Sequence, residues 1–178
     1  MKSSRMKKSW LTILALMVLS TFTFPSFTLA TPWTTVGSTG SIDESDLDEF
    51  ATSGSYLYFK RGITGAITAR YNVTNPFDFH PVHRYWNTLY VSYKDPGGSS
   101  RIQVYLRSVD LETGSHSTIA RFDSNDFPAS NSVQLQDIWV NHEFDFLSKA
   151  YYIYAYVSRT SASANVRLYA LKLVGSVY

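Results

Sequence analysis

The chain of 178 residues contains no cysteine. That excludes disulfide staples, a cysteine nucleophile, and a lipoprotein anchor on a cysteine behind the N-terminal apolar stretch. Three catalytic signatures are also missing: the Gly-x-Ser-x-Gly elbow, the His-Glu-x-x-His zinc motif and the glycine-rich phosphate loop. Glu143 and Asp145 can be nominated as a glycosidase pair, but so can any two acids in a chain, and no catalytic residue is assigned. There is no internal repeat, no low-complexity linker and no long segment of helical periodicity.

The first thirty residues stand apart from the rest. Lys2, Arg5, Lys7 and Lys8 form a basic stretch, "WLTILALMVLS" from Trp10 is apolar, and Thr28 and Ala30 supply small residues at −3 and −1 of a cleavage site. This is the pattern of a secretory signal, predicted to be cut after Ala30. Its apolar run is too short to cross a ~30 Å hydrocarbon core comfortably. Residues 31–178 then form a single domain of 148 residues, long enough to bury about 68–70% of its unfolded surface without staples. They carry twelve basic and fourteen acidic residues, a balance of −2. The alkaline character of the whole chain therefore comes from the signal, and nothing predicts an electrostatic grip on nucleic acid.

After Phe50 the chain reads as strands. "GAITARYNVT" sets Ile67, Ala69, Tyr71 and Val73 against Thr68, Arg70 and Asn72. "NTLYVSYKD" sets Leu89, Val91 and Tyr93 against Tyr90, Ser92 and Lys94. "RIQVYLRSV" sets Ile102, Val104 and Leu106 against Gln103, Tyr105 and Arg107, with a bulge expected where the phase slips at Val109 and Leu111. A further slip is expected at Asp137 in "VQLQDIWV". "DPGGSS" and "DLETGSH" are turns, with Gly114 at the position needing positive φ. The acidic "IDESDLDEF" can make one helical turn capped by Asp43. About eight strands with one apolar face each predict an all-β, antiparallel two-sheet sandwich of jelly-roll type.

The most distinctive stretch is "AYYIYAYVSRT", residues 150–160. On a strand, Ile153, Ala155 and Val157 share one face and Tyr152, Tyr154 and Tyr156 the other. Tyr105 and Tyr90 are outward on their own strands by the same alternation, with Arg107, Lys94 and Ser92 expected nearby. Sugar rings stack on aromatic rings, and tyrosine adds a hydroxyl for hydrogen bonding. The competing reading is that aromatics favour strands and pair across them. A second candidate is "FDFHPVHRYW", residues 77–86, as a ligand-contact loop carrying Tyr85 and Trp86. There the alternative is that Phe77, Phe79 and Trp86 plug one end of the sandwich. His80 and His83 supply at most two of the three or four ligands a metal needs, so no metal is assigned. The acidic residues of 43–49 and 123–126 could offer oxygens to calcium, but they lack the EF-hand spacing.

At "IDESDL", "ARYNV", "RFDSNDFPASNSVQ" and "FDFLSKAYYIYAYVSRT" the chain resembles a set of small secreted bacterial proteins of cyanobacterial type. The resemblance spans most of residues 31–178. It implies secretion, extracellular or periplasmic, and a β-sandwich, and it supplies no activity or site to carry over. In those relatives the positions matching Tyr154 and Tyr156 are polar, which implies that both side chains point outward here. The expectation is a secreted, non-catalytic sandwich without cofactor that binds a polysaccharide. Its candidate contacts are Tyr154, Tyr156, Tyr105, Tyr90, Tyr85 and Trp86. The alternative is a surface-assembly protein that self-associates through its aromatic face.

Overall fold

A computed structural model describes residues 31–75 and 86–175. Alternation of branched or aromatic residues with polar ones produces strands throughout, because such side chains fit a pleated surface with one buried face. Eleven strands form among the described residues. Three are short: β1 (Trp33–Val36), β2 (Ser41–Ile42) and β3 (Phe50–Ser53). The other eight are the strands expected from the sequence: β4 (Tyr56–Phe59), β5 (Gly65–Val73), β6 (Thr88–Asp95), β7 (Ser100–Asp110), β8 (His116–Asp123), β9 (Ser130–Trp139), β10 (Lys149–Arg159) and β11 (Arg167–Val174).

They build two antiparallel sheets. The six-stranded sheet runs β3-β4-β11-β6-β9, with β1 also pairing β11. The five-stranded sheet runs β2-β5-β10-β7-β8. Among β4 to β11 successive strands cross from sheet to sheet, except for the β7–β8 hairpin. This is the connectivity of a jelly roll. Gly114 lies in that hairpin with φ of 69°, a conformation that a side chain disfavours. The acidic stretch forms one 3-10 turn at Glu44–Asp46, and the Asp43 side chain caps it by accepting from the Ser45 N–H.

The core lies between the sheets. Ile67, Val73, Leu89, Val91, Ile102, Val104, Leu106, Ile153 and Val157, all expected inside, are no more than 4% exposed. Two details of phase differ from expectation. The bulge near Leu106 and Arg107 lies on β8, where Ile119 is the unpaired extra residue, so β7 keeps its phase and Val109 stays outward. In β9 there is no slip at Asp137: Val133, Leu135, Asp137 and Trp139 all point out. The irregularity sits at the start of β9, where Tyr93 pairs with Gln134 but Asp95 pairs with Ser130. As an edge strand β9 shares less of the core, so its inward positions tolerate Gln134 and Gln136.

One buried cation ties two loops to the core. The alternation of Ile153, Ala155 and Val157 continues to Arg159, which is only 7% exposed. Its guanidinium donates to the carbonyls of Ile63 (2.8 Å), Ala164 (2.8 Å) and Lys60 (2.9 Å) and lies 4.8 Å from the Phe59 ring centre. Burial lowers its pKa.

Four of the acidic residues weighed as calcium ligands, Asp43, Asp46, Glu49 and Asp123, serve as internal hydrogen-bond acceptors. Asp46 accepts from Thr68 N–H at 2.7 Å, Glu49 from Ala66 N–H at 3.1 Å, and Asp43 from Arg70 at 3.1 Å. Asp123 is 2% exposed and accepts from Arg101, Arg121 and Gln103. Burial alone would raise its pKa; the Arg101 hydrogen bonds and the Asn125 N–H outweigh that and hold it down at about 2. The folded value lies below the unfolded value of about 3.9. The stabilisation is therefore complete above about pH 4 and drains away as the pH falls toward 2, a loss of roughly 2 kcal/mol. Thermal unfolding from pH 5 to pH 2 should show a smaller decline for Asp123→Asn than for the wild type. Parallel declines would mean that the carboxylate is not held down.

Candidate functional site: a tyrosine face on the five-stranded sheet

Strand β10 is the centre of the five-stranded sheet, paired with β5 on one side and β7 on the other. Its inward residues Ile153, Ala155 and Val157 are fully buried. Tyr152, Tyr154 and Tyr156 therefore occupy the outer face, each half-buried. Three rings on alternate residues are spaced ~6.8 Å apart along the strand. The register adds a fourth: Tyr105 on β7 lies directly opposite Tyr154, with ring centres 6.1 Å apart and edge to face.

The contacts of these rings are with polar side chains of the same face. Tyr154 stands between Arg70 on β5 and Arg107 on β7, whose guanidinium carbons lie 5.8 and 5.5 Å from its centre. Arg107 also lies 5.7 Å from the Tyr105 ring. Tyr152 shares a 3.2 Å hydrogen bond with His116 Nδ1. Cations over ring faces fix the tyrosines in place at modest energy, about 0.5–1 kcal/mol each where exposed. Arg70 is neutralised by Asp43 and Arg121 by Asp123. Arg107 forms no ion pair among the described residues, and its Nε is buried without a hydrogen-bond partner. The face thus offers four phenol hydroxyls, ring edges and one uncompensated guanidinium. Among the described residues no three His, Asp or Glu side chains converge to hold a metal ion.

The sequence candidates divide. Tyr154, Tyr156 and Tyr105 come together. Tyr90 does not join them. It lies on the outer face of the other sheet, between Lys172 on β11 and Asp137 on β9, and Lys94 and Ser92 are on that same far face. The alternation within β6 was right, but strand order put the strand in the opposite sheet. Trp86 is not available to a ligand. It is fully buried, its ring packs edge-on against Phe144 at 5.0 Å and Phe146 at 6.1 Å, and its Nε1–H donates to Thr31 O at 3.0 Å. It plugs one end of the sandwich together with Tyr151, whose ring lies 4.8 Å from Phe144. Tyr85, His80 and His83 lie outside the described residues.

Sequence reasoning missed a second aromatic group. Tyr56 lies 5.3 Å from Tyr58 and 5.1 Å from Tyr169 on the six-stranded sheet, with Arg167 4.5 Å from the Tyr56 ring centre. The alternation of "YLYFK" could have shown Tyr56 and Tyr58 on one face, since Leu57 and Phe59 between and beside them are buried. The meeting with Tyr169 depends on pairing between β4 and β11, which no local pattern reveals.

No protein-family model and no curated protein matches the chain. Solved structures do. The xylan-binding module CBM15 superposes with a TM-score of 0.46 at 7% identity, over 84% of this chain and 99% of that one. A family 30 carbohydrate-binding module of a Clostridium thermocellum cellulosomal cellulase gives 0.45 at 14%, over 84% and 93%. A family two carbohydrate esterase from Cellvibrio japonicus gives 0.39 at 13% over 82% of this chain, which spans only 34% of the esterase. Similarity at this level carries no residue and no activity over to this protein.

Proposed function

We propose that this protein is a secreted, non-catalytic module that binds a polysaccharide along β10. The observation that carries this reading is the row of Tyr152, Tyr154 and Tyr156 beside Tyr105, held on an outer sheet face by arginines of that face. An extended glycan lying along the strand meets a ring or a hydroxyl at each step, and Arg107 supplies a donor for its oxygens. The basic and apolar N-terminal stretch ending at Ala30 supports export. Among the described residues no helix is long and apolar enough to cross a membrane.

Substituting both Tyr154 and Tyr156 by Ser tests the reading. Stability should fall by less than about 1 kcal/mol, since the change is to half-exposed residues. Retention in native gels containing soluble cell-wall polysaccharides should disappear. Unchanged retention would sink the assignment, and global unfolding would show that the tyrosines are structural.

Self-association is the second reading, and the observation favouring it lies elsewhere. On edge strand β9, Val133, Leu135 and Trp139 are 55%, 62% and 56% exposed, more than single chains usually leave on one edge. An assembly built on β9 leaves the tyrosine face free. The Tyr154 and Tyr156 substitutions should therefore leave the sedimentation coefficient unchanged.

A further inference from the structure

The outer face of the six-stranded sheet carries a juxtaposition that strand pairing ordinarily avoids. Arg167 on β11 and Lys94 on β6 are directly opposite in the register. Opposed like charges on neighbouring strands destabilise a sheet. Neither forms an ion pair among the described residues, whereas Arg70, Arg101 and Arg121 each have a carboxylate. Arg167 is held in place by other means: its Nε donates to Asn165 at 2.8 Å, and its guanidinium lies over Tyr56 at 4.5 Å and Tyr58 at 6.0 Å. On its other side Arg167 pairs in register with Tyr58. A row of ring, cation and cation thus crosses three strands, with Tyr169 against Tyr56 alongside. Farther along the face Lys172 adds another cation opposite Tyr90, whose other partner is Asp137; Asp95, next to Lys94 on β6, points inward and is buried.

We propose that this face is a second binding site, separate from the tyrosine face of β10, and that its ligand is a carboxylate-bearing polysaccharide. A carboxylate placed between Arg167 and Lys94 relieves their repulsion and accepts from both, while the Tyr56, Tyr58 and Tyr169 rings give the adjoining sugar a surface to lie on. The adjacent Arg167 and Lys94 suit a single carboxylate, and the rings beside them suit the sugar that bears it. The balance of −2 disfavours a nucleic acid, whose binding rests on several phosphate contacts at once rather than on one acid group beside a stacked sugar.

The test is titration calorimetry at low salt with polygalacturonate, with hydroxyethyl cellulose as the neutral polymer and a single-stranded thymidine oligomer as the competing polyanion. The wild type should bind polygalacturonate, and the affinity should fall with added salt. Lys94→Gln should weaken it, and Lys94→Gln combined with Arg167→Gln should weaken it about tenfold or more. Lys94→Gln alone should melt at or above the wild-type temperature, because it removes a like-charge contact. Tyr154→Ser with Tyr156→Ser should keep polygalacturonate affinity, whatever happens to hydroxyethyl cellulose, so the two sites fail or succeed separately. No polygalacturonate binding, or undiminished binding by Lys94→Gln, overturns the proposal. Equal or tighter binding of the oligomer, lost in the same variants, overturns the choice of ligand.

Discussion

Replacing Arg159 by methionine should cost the fold about 3–5 kcal/mol in urea unfolding. The methionine fills much of the same space, so the loss is not one of volume. It comes from the carbonyls of Ile63 and Ala164, which would lose the donor that Arg159 supplies, and from that of Lys60, which would keep only a 3.3 Å bond from the Ile63 N–H. An unsatisfied buried acceptor costs about 1–3 kcal/mol. Against a typical domain stability of 5–15 kcal/mol this is a large share. Arg159→Lys should recover only part of the loss, because an ammonium cannot reproduce the planar fork that reaches three carbonyls at once. A cost below about 1 kcal/mol would mean that water takes over the carbonyls and that the two loops do not depend on the clamp.

The second large effect concerns Trp86. Trp86→Ala should destabilise by about 3–5 kcal/mol, the range for emptying a buried indole site. The ring is fully buried against Phe144 and Phe146, and its N–H is satisfied by Thr31 O. The same variant separates a plug from a ligand contact. Below its melting point it should bind glycan as the wild type does, since Trp86 lies between the sheets and not on the tyrosine face. Normal stability with lost binding would reverse that placement.

Much of this architecture is legible in the chain because alternation is a local property. The pattern around Ile153, Ala155 and Val157 gives strand β10, its inward face and the outward direction of its tyrosines without any knowledge of neighbours. The same holds for β5, β6 and β7. Strand order is not local. Tyr90 and Tyr105 look equivalent in their own strands, yet β6 and β7 belong to opposite sheets, so one tyrosine joins the site and the other faces away. Trp86 sits just before β6 in a stretch with no periodicity, and its direction is set by the Phe144 and Phe146 rings nearly sixty residues later. Edge strand β9 misleads for a different reason. Its valine and leucine alternate as core residues would, but an edge strand places them outward with little penalty. Arg159 was legible in principle: it continues the inward series of β10, and an arginine at such a position must find acceptors or a counter-charge.

The central claim is that glycan meets the protein at the β10 tyrosines. Chemical-shift mapping of the protein titrated with a set of soluble cell-wall oligosaccharides tests it most directly. With a ligand that binds, the largest shifts should fall on Tyr105, Tyr152, Tyr154, Tyr156 and the Arg107 side chain, and the buried Trp86 indole should stay in place. Shifts concentrated away from these residues, or no shift with any oligosaccharide of the set, would contradict the account.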